Sequence, residues 1–217
     1  MQTQKQIAQE PSLWLGDLHP LVEQLGSVDG LVTLSSVSAS LQIKPVENFR
    51  TLREFLKNYH AQILLPLELP AIRDAFNHAS HNELRELVAL DQKLAAEPLM
   101  NNFAEASRRV GQSQLQRLRP LRDSRFVQRY LAAVENGEAH GWHTLIYGMT
   151  LAVYSLPLRQ GMHRYAVETM RGFIHAAGRS LHFSEAKAAR LLEELCEDAP
   201  AAVETLLAQT ADFADSK

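Results

Sequence analysis

The longest run in this chain without an Asp, Glu, Lys or Arg extends from Ala139 to Leu158, and it sets the terms for the fold around it. A bilayer span needs about 20 mostly apolar residues. This run carries His140, His143, three small hydroxyl residues and Pro157, so it predicts a buried helix and not a membrane helix. From about Trp142 to Tyr154 its apolar residues surround the helix, which is the pattern of the central member of a bundle. Pro157 bounds it, because the residue before a proline is pushed out of the helical region. A helix that is apolar on every side needs other helices to cover it.

The rest of the chain supplies them. Phe49, Leu52, Leu56, Tyr59 and Ile63 recur every three or four residues and give one apolar face. Ser80 to Glu83 has the spacing of a capping box, in which each end satisfies a backbone amide of the other. The helix it would start carries Leu84, Leu87, Val88 and Leu94. Pro98 suits the first turn of the next helix, whose apolar side is Leu99, Phe103, Ala106 and Val110 and which Pro120 bounds. Asp123 or Ser124 is placed to cap a helix bearing Phe126, Tyr130, Leu131 and Val134, and Gly137 to end it in the left-handed conformation. Further helices are expected over His163 to Arg179, after a Ser184 cap, and over Ala201 to Phe213.

Only the stretch from Gly30 to Ile43, rich in Val, Ser and Thr, alternates in a way that suits a strand or a short helix equally. A lone strand would have nothing to pair with, and no hairpin signal occurs elsewhere. These patterns predict an all-α fold: one helical domain over residues 1–217, about eight to eleven helices, with 1–12 and 214–217 as flexible ends.

Composition narrows the functional classes. The 217 residues hold 22 Lys plus Arg against 25 Asp plus Glu, a formal net charge of −3. That balance argues against gripping a phosphate backbone, so no nucleic-acid partner is expected. The single Cys196 excludes an internal disulfide and a cysteine-only metal cage. The polar first ten residues do not read as a signal peptide. A cytoplasmic, membrane-free protein is the expectation.

Catalytic patterns are missing. No GxxxxGK[ST], GxGxxG or GxSxG occurs. Cys196 sits among Glu193, Glu194, Glu197 and Asp198, a setting that raises a thiol pKa and disfavours a nucleophile. His140 and His143, and likewise His78 and His81, are three apart and could share a helix face. Neither pair has a third ligand nearby, so neither makes a metal shell. Paired carboxylates such as Glu83 and Glu86 read as solvated faces. The expectation is a non-enzyme without catalytic residues, cofactor or metal site. The densest charge feature is basic: Arg108, Arg109, Arg117, Arg119, Arg122, Arg125 and Arg129. Arg is suited to planar recognition of carboxylates and is enriched at protein interfaces, so this stretch is either a solvated face or a partner surface.

The stretch FLKNYHAQILLPLELPAIRDAFNHASHNELRELVALDQKL, Phe55 to Leu94, resembles the central region of the UreF family of urease accessory proteins. The likeness continues through AEASRRVGQSQL, where Gly111 falls at a family glycine. It resumes in HTLIYGMTLAVYSLPLRQGMHRYAVETMRGFIHAAGRSLHFSEAKAARLLEEL, His143 to Leu195, with Arg179 at a basic position closing a long helix. Of the family's N-terminal glycine-containing run only Gly30 and Leu31 survive, and the length leaves little room for the family's C-terminal tail. The resemblance implies a helical homodimer that binds a second, scaffold-type accessory protein and a GTPase and helps load nickel into apo-urease. Arg108 and Arg109 by their charge, Gly111 by its family-like position, and Arg179 by both are the candidate partner-binding residues. Two alternatives remain open from the residues alone: a helical adaptor with this fold that does not serve urease, and a metal enzyme using His140 and His143.

Overall fold

The computed structural model describes residues 37–121 and 124–214, which are mostly helical with no strand among them. The all-α expectation therefore holds. The 30–36 part of the ambiguous segment, residues 1–12 and residues 215–217 lie outside the described residues, as does Asp123. Of the described part of the ambiguous segment, residues 37–43, residues 37–40 are helical and 41–42 form a turn.

The first long helix, α1 (Phe49–Tyr59), starts at a capping box that the sequence reading did not find. Asn48 Oδ1 accepts from the amides of Arg50 and Thr51, and Thr51 Oγ1 accepts from the Asn48 amide at 3.1 Å. The chain does not stop after Tyr59. It passes through a π-helical segment (His60–Glu68) into α2 (Leu69–Ser80). Pro66 gives the reason for the widened turns. It has no amide hydrogen, and in an α-helix its ring would meet the carbonyl four residues back.

Next come α3 (Leu84–Ala95), the single turn α4 (Pro98–Asn101) and α5 (Ala104–Leu118). After these follow α6 (Arg125–Glu135), α7 (His143–Val153), α8 (Leu158–Leu181), α9 (Glu185–Cys196) and α10 (Ala199–Ala214). Three expectations need correction. The Ser80–Glu83 capping box does not form: Ser80 is the last residue of α2 and its hydroxyl donates to the Phe76 carbonyl at 2.8 Å. The Pro98 helix is two helices, broken at Asn102 and Phe103, with Phe103 buried at the break. The segment given as His163 to Arg179 begins earlier and ends later, and Ala214 is still helical.

Other helix ends agree with expectation. Ser124 Oγ accepts from the Val127 amide, and Gly137 lies just past α6 at φ +77°. Ser184 stands at the start of α9 but its side chain makes no capping bond.

The charge-free helix α7 is the centre. It packs most extensively on α2 and then on α5. Residues His143 to Met149 are all buried, as is Leu151. Helix α8 packs on α9, α10 and α2, closing the other side. One continuous apolar cluster joins these elements, with Phe173 edge-on to both Phe55 and Tyr59, which stack on each other.

Candidate functional site

Glycine lets α5 and α7 approach closely at the face where the sequence placed its partner-binding residues. A Cβ on Gly111 would stand 2.1 Å from the Gly141 carbonyl oxygen and 2.7 Å from the His143 amide. Gly111 is therefore buried against the entry to α7 and does not look outward. Its part in any docking is to set how near α5 lies to that entry.

The entry itself is held by a buried carboxylate. Asp91 of α3 is fully buried and accepts three hydrogen bonds: from the Tyr130 hydroxyl at 2.8 Å, the His140 amide at 2.6 Å and the Gly141 amide at 2.9 Å. Three donors on one carboxylate offset the cost of taking it out of water. Burial, and then the Asp91 charge, push the Tyr130 phenol well above its ordinary pKa. The Gln112 side-chain amide donates to the His140 carbonyl at 3.1 Å and ties α5 to the same loop.

One residue further on, His143 lies in a buried polar chain. Its Nδ1 is 2.7 Å from Ser107 Oγ and its Nε2 is 2.7 Å from the Tyr165 hydroxyl. Tyr165 and Tyr59 both hydrogen-bond Glu68, the last residue of the π-helical segment. The chain has one consistent direction. The phenols donate to the Glu68 carboxylate, so the Tyr165 oxygen accepts from Nε2–H. Nδ1 then accepts from the Ser107 hydroxyl. The Ser107 oxygen in turn faces the His143 backbone amide at 3.4 Å. Burial first, and Glu68 second, hold both phenols well above their usual pKa.

A serine beside an imidazole is also the contact an activated nucleophile makes. Here Ser107 is 0 % exposed and His143 3 % exposed, so no substrate reaches the pair. The chain joins α5, α7, α8 and the π-helical segment as a structural bolt.

Outside this bolt, α5 presents its solvent face. Arg108 lies with its guanidinium carbon 5.3 Å from the centroid of the buried Trp142 ring, a cation–π placement that fixes an otherwise mobile side chain. Arg109 is exposed beside it. Asn101, Glu105, Gln112, Ser113 and Gln116 complete an open groove of about 900 Å³ with both arginines. Farther along the basic stretch, Arg119 pairs with Glu135, and Arg117, Arg125 and Arg129 are exposed. Arg122 lies outside the described residues. Arg179 falls in the last turn of α8, a helix that packs mainly on α9, α10 and α2, whereas Arg108 and Arg109 lie on α5, which packs mainly on α7. The structure thus groups Arg108 and Arg109 and puts Arg179 on another element.

The histidine pairs do not converge. His143 is inside, whereas His140 contributes its backbone to the Asp91 contact. His78 Nδ1 meets Glu83 at 2.8 Å, and His81 Nδ1 meets the Asn77 carbonyl at 2.8 Å. Among the described residues no three His, Cys, Asp or Glu side chains come together as a metal shell. The Cys196 thiol is raised as expected but mainly for a different reason. Burial is the largest cause, Arg171 opposes it, and the contributing carboxylate is Glu168 on α8 and not a sequence neighbour. Among the described residues no helix is long and apolar enough to cross a membrane.

Sequence reasoning missed Asp91, Glu68, Ser107 and Tyr165. A signal existed for Asp91, which interrupts the apolar stripe of α3 between Leu87 and Leu94. Glu68 had a weaker one, standing between leucines in LLPLELP.

Comparison with known proteins gives two findings. The family model described as UreF matches residues 46–196. A protein described as urease accessory protein UreF, from Sporosarcina pasteurii, is 21 % identical over 141 residues, which cover 65 % of this chain and 70 % of that protein.

Proposed function

This chain belongs to the UreF family, and on that premise we propose that it is a urease accessory protein that works by presenting surfaces. It assists nickel loading of apo-urease as a homodimer, in an assembly with a GTPase and a second accessory protein, and nickel is its cargo and not its cofactor. The extent of the family match carries this reading. The match begins just before α1 and ends at Cys196, so it includes the Arg108, Arg109, Gly111 and Arg179 positions.

The outer face of α5 is the docking surface. Arg108 is held on Trp142 before any partner arrives, so binding loses little of its side-chain freedom. Arg109 adds a second guanidinium and the glutamines add adaptable amides. Arg is among the residue types that dominate interface energetics, and the buried Trp142 beneath it serves to position it. Arg179 serves a separate contact at the end of α8. The metal-enzyme alternative loses support because both ring nitrogens of His143 are engaged by Ser107 and Tyr165.

Replacing Arg108, Arg109 and Arg179 singly by Glu should reduce recovery of the urease GTPase partner in a pull-down. The most affected variant should lose about tenfold or more. Unchanged recovery for all three overturns the docking role.

A further inference from the structure

We propose that the hollow between α1 and α9 is a second docking site, separate from the α5 face, that takes a carboxylate-rich segment of a partner protein. Phe49, Arg53, Lys187, Arg190, Leu191 and Glu194 line it, and its volume is about 320 Å³.

The hollow already holds one carboxylate of its own. Glu194 on α9 accepts from Arg53 at 2.5 Å and pairs with Lys57 at 2.8 Å, both on α1. Their hydrogen bonds hold the Glu194 carboxyl down to about 2. Only half of the available positive charge is used in this way. Arg190 and Lys187 stand one and two turns toward the start of α9, on the same face as Glu194. Lys187 lies 5.9 Å from the centroid of the Phe49 ring. Among the described residues the Arg190 side chain makes no hydrogen bond or ion pair, and the Lys187 side chain has only that ring contact. Four cations thus face one carboxylate, and a second carboxylate fits beside Lys187 and Arg190.

The apolar floor favours a peptide over a polynucleotide. Phe49 is half-buried, held edge-on to Phe183 at 5.1 Å, and Leu191 is buried beneath. Phe49 and Leu191 together can cover the methylene groups of a glutamate side chain. A hollow of this size holds a side chain or two and offers no track for a backbone of phosphates.

The test uses the full chain and a fluorescein-labelled hexaglutamate peptide, read by fluorescence polarisation. Binding should saturate and weaken as salt is raised. Lys187→Glu with Arg190→Glu should weaken it by about tenfold or more. Glu194→Gln should strengthen it, because the internal competitor for Arg53 and Lys57 is gone. Arg85→Glu with Lys93→Glu, an equal change of charge on exposed residues of α3, should leave it as it was. Circular dichroism on each variant keeps a folding defect from passing as a binding one. Three results would overturn the proposal: no effect of the double reversal, weaker binding by Glu194→Gln, or an oligothymidylate of equal charge binding as tightly as the peptide. None of these bears on the α5 face, so the two docking surfaces fail or stand separately.

Discussion

Asp91 shows how a single buried charge can decide a local structure. Its carboxylate is the shared acceptor for a hydroxyl of α6 and for two backbone amides at the entry to α7. Asp91→Ala would leave those three donors facing a void. Unfolding in urea should show a loss of about 3 kcal/mol or more. A loss under about 1 kcal/mol would mean that water or a shift of the loop replaces the carboxylate without difficulty. His60 gives a prediction of opposite character. Burial lowers its pKa below the ordinary 6.5, against a smaller opposing pull from Asp198, and its Nε2 is buried without a hydrogen bond. The unfolded chain therefore takes up a proton near pH 6.5 while the folded chain resists it. Stability should fall as pH drops through that value and level off below the folded pKa. His60→Gln should flatten this segment of the pH profile, and an unchanged slope would assign it to other groups. Both residues were visible as letters in apolar surroundings. Their meaning was not, because each depends on what lies across a helix contact.

Helices themselves were largely legible, because their apolar periods are strong and Gly137, Ser124 and Pro157 mark real ends. The failures have physical causes. Ser80–Glu83 has the spacing of a capping box, but α2 runs on until Ser80 and the serine hydroxyl turns back to Phe76. Pro66 reads as a helix breaker, yet widening into π turns carries the chain through it and delivers Glu68 to the buried polar chain. Close helix approach is a further property of elements that spacing alone does not reveal. A Cβ on Gly111 would strike the backbone of Gly141 and His143, and one on Gly148 would stand 2.3 Å from the Ile72 carbonyl oxygen of α2. These neighbours are main chain and cannot swing aside. Gly111→Ala should therefore cost about 1–3 kcal/mol and lower the melting temperature, although alanine is the better helix former. A neutral or stabilising effect would show that α5 can slide relative to α7.

On the scale of the whole molecule, a net charge of −3 conceals an uneven surface. Arginines gather along α5 and α6, and most of the carboxylates after Glu185 fall on α9 and α10. That distribution suits a protein that docks other proteins through separate patches. The acidic appearance of the last third is itself incomplete. Lys187 and Arg190 lie within it and face Arg53 from a helix more than a hundred residues earlier, a juxtaposition that only the packed structure supplies. The family resemblance was legible in the order of helices, and the match over residues 46–196 bears it out. Which arginines share a surface was not legible. Arg108 and Arg109 sit on one groove, whereas Arg179 belongs to a different element. Under the proposed function, the role of this chain shows in what happens to its client. The most direct test is the nickel content of urease purified from cells that express the urease genes of the same organism with or without this chain. The account predicts nickel-poor, weakly active urease when the chain is missing and restored loading when it is returned. Equal nickel content and activity in both preparations would contradict it.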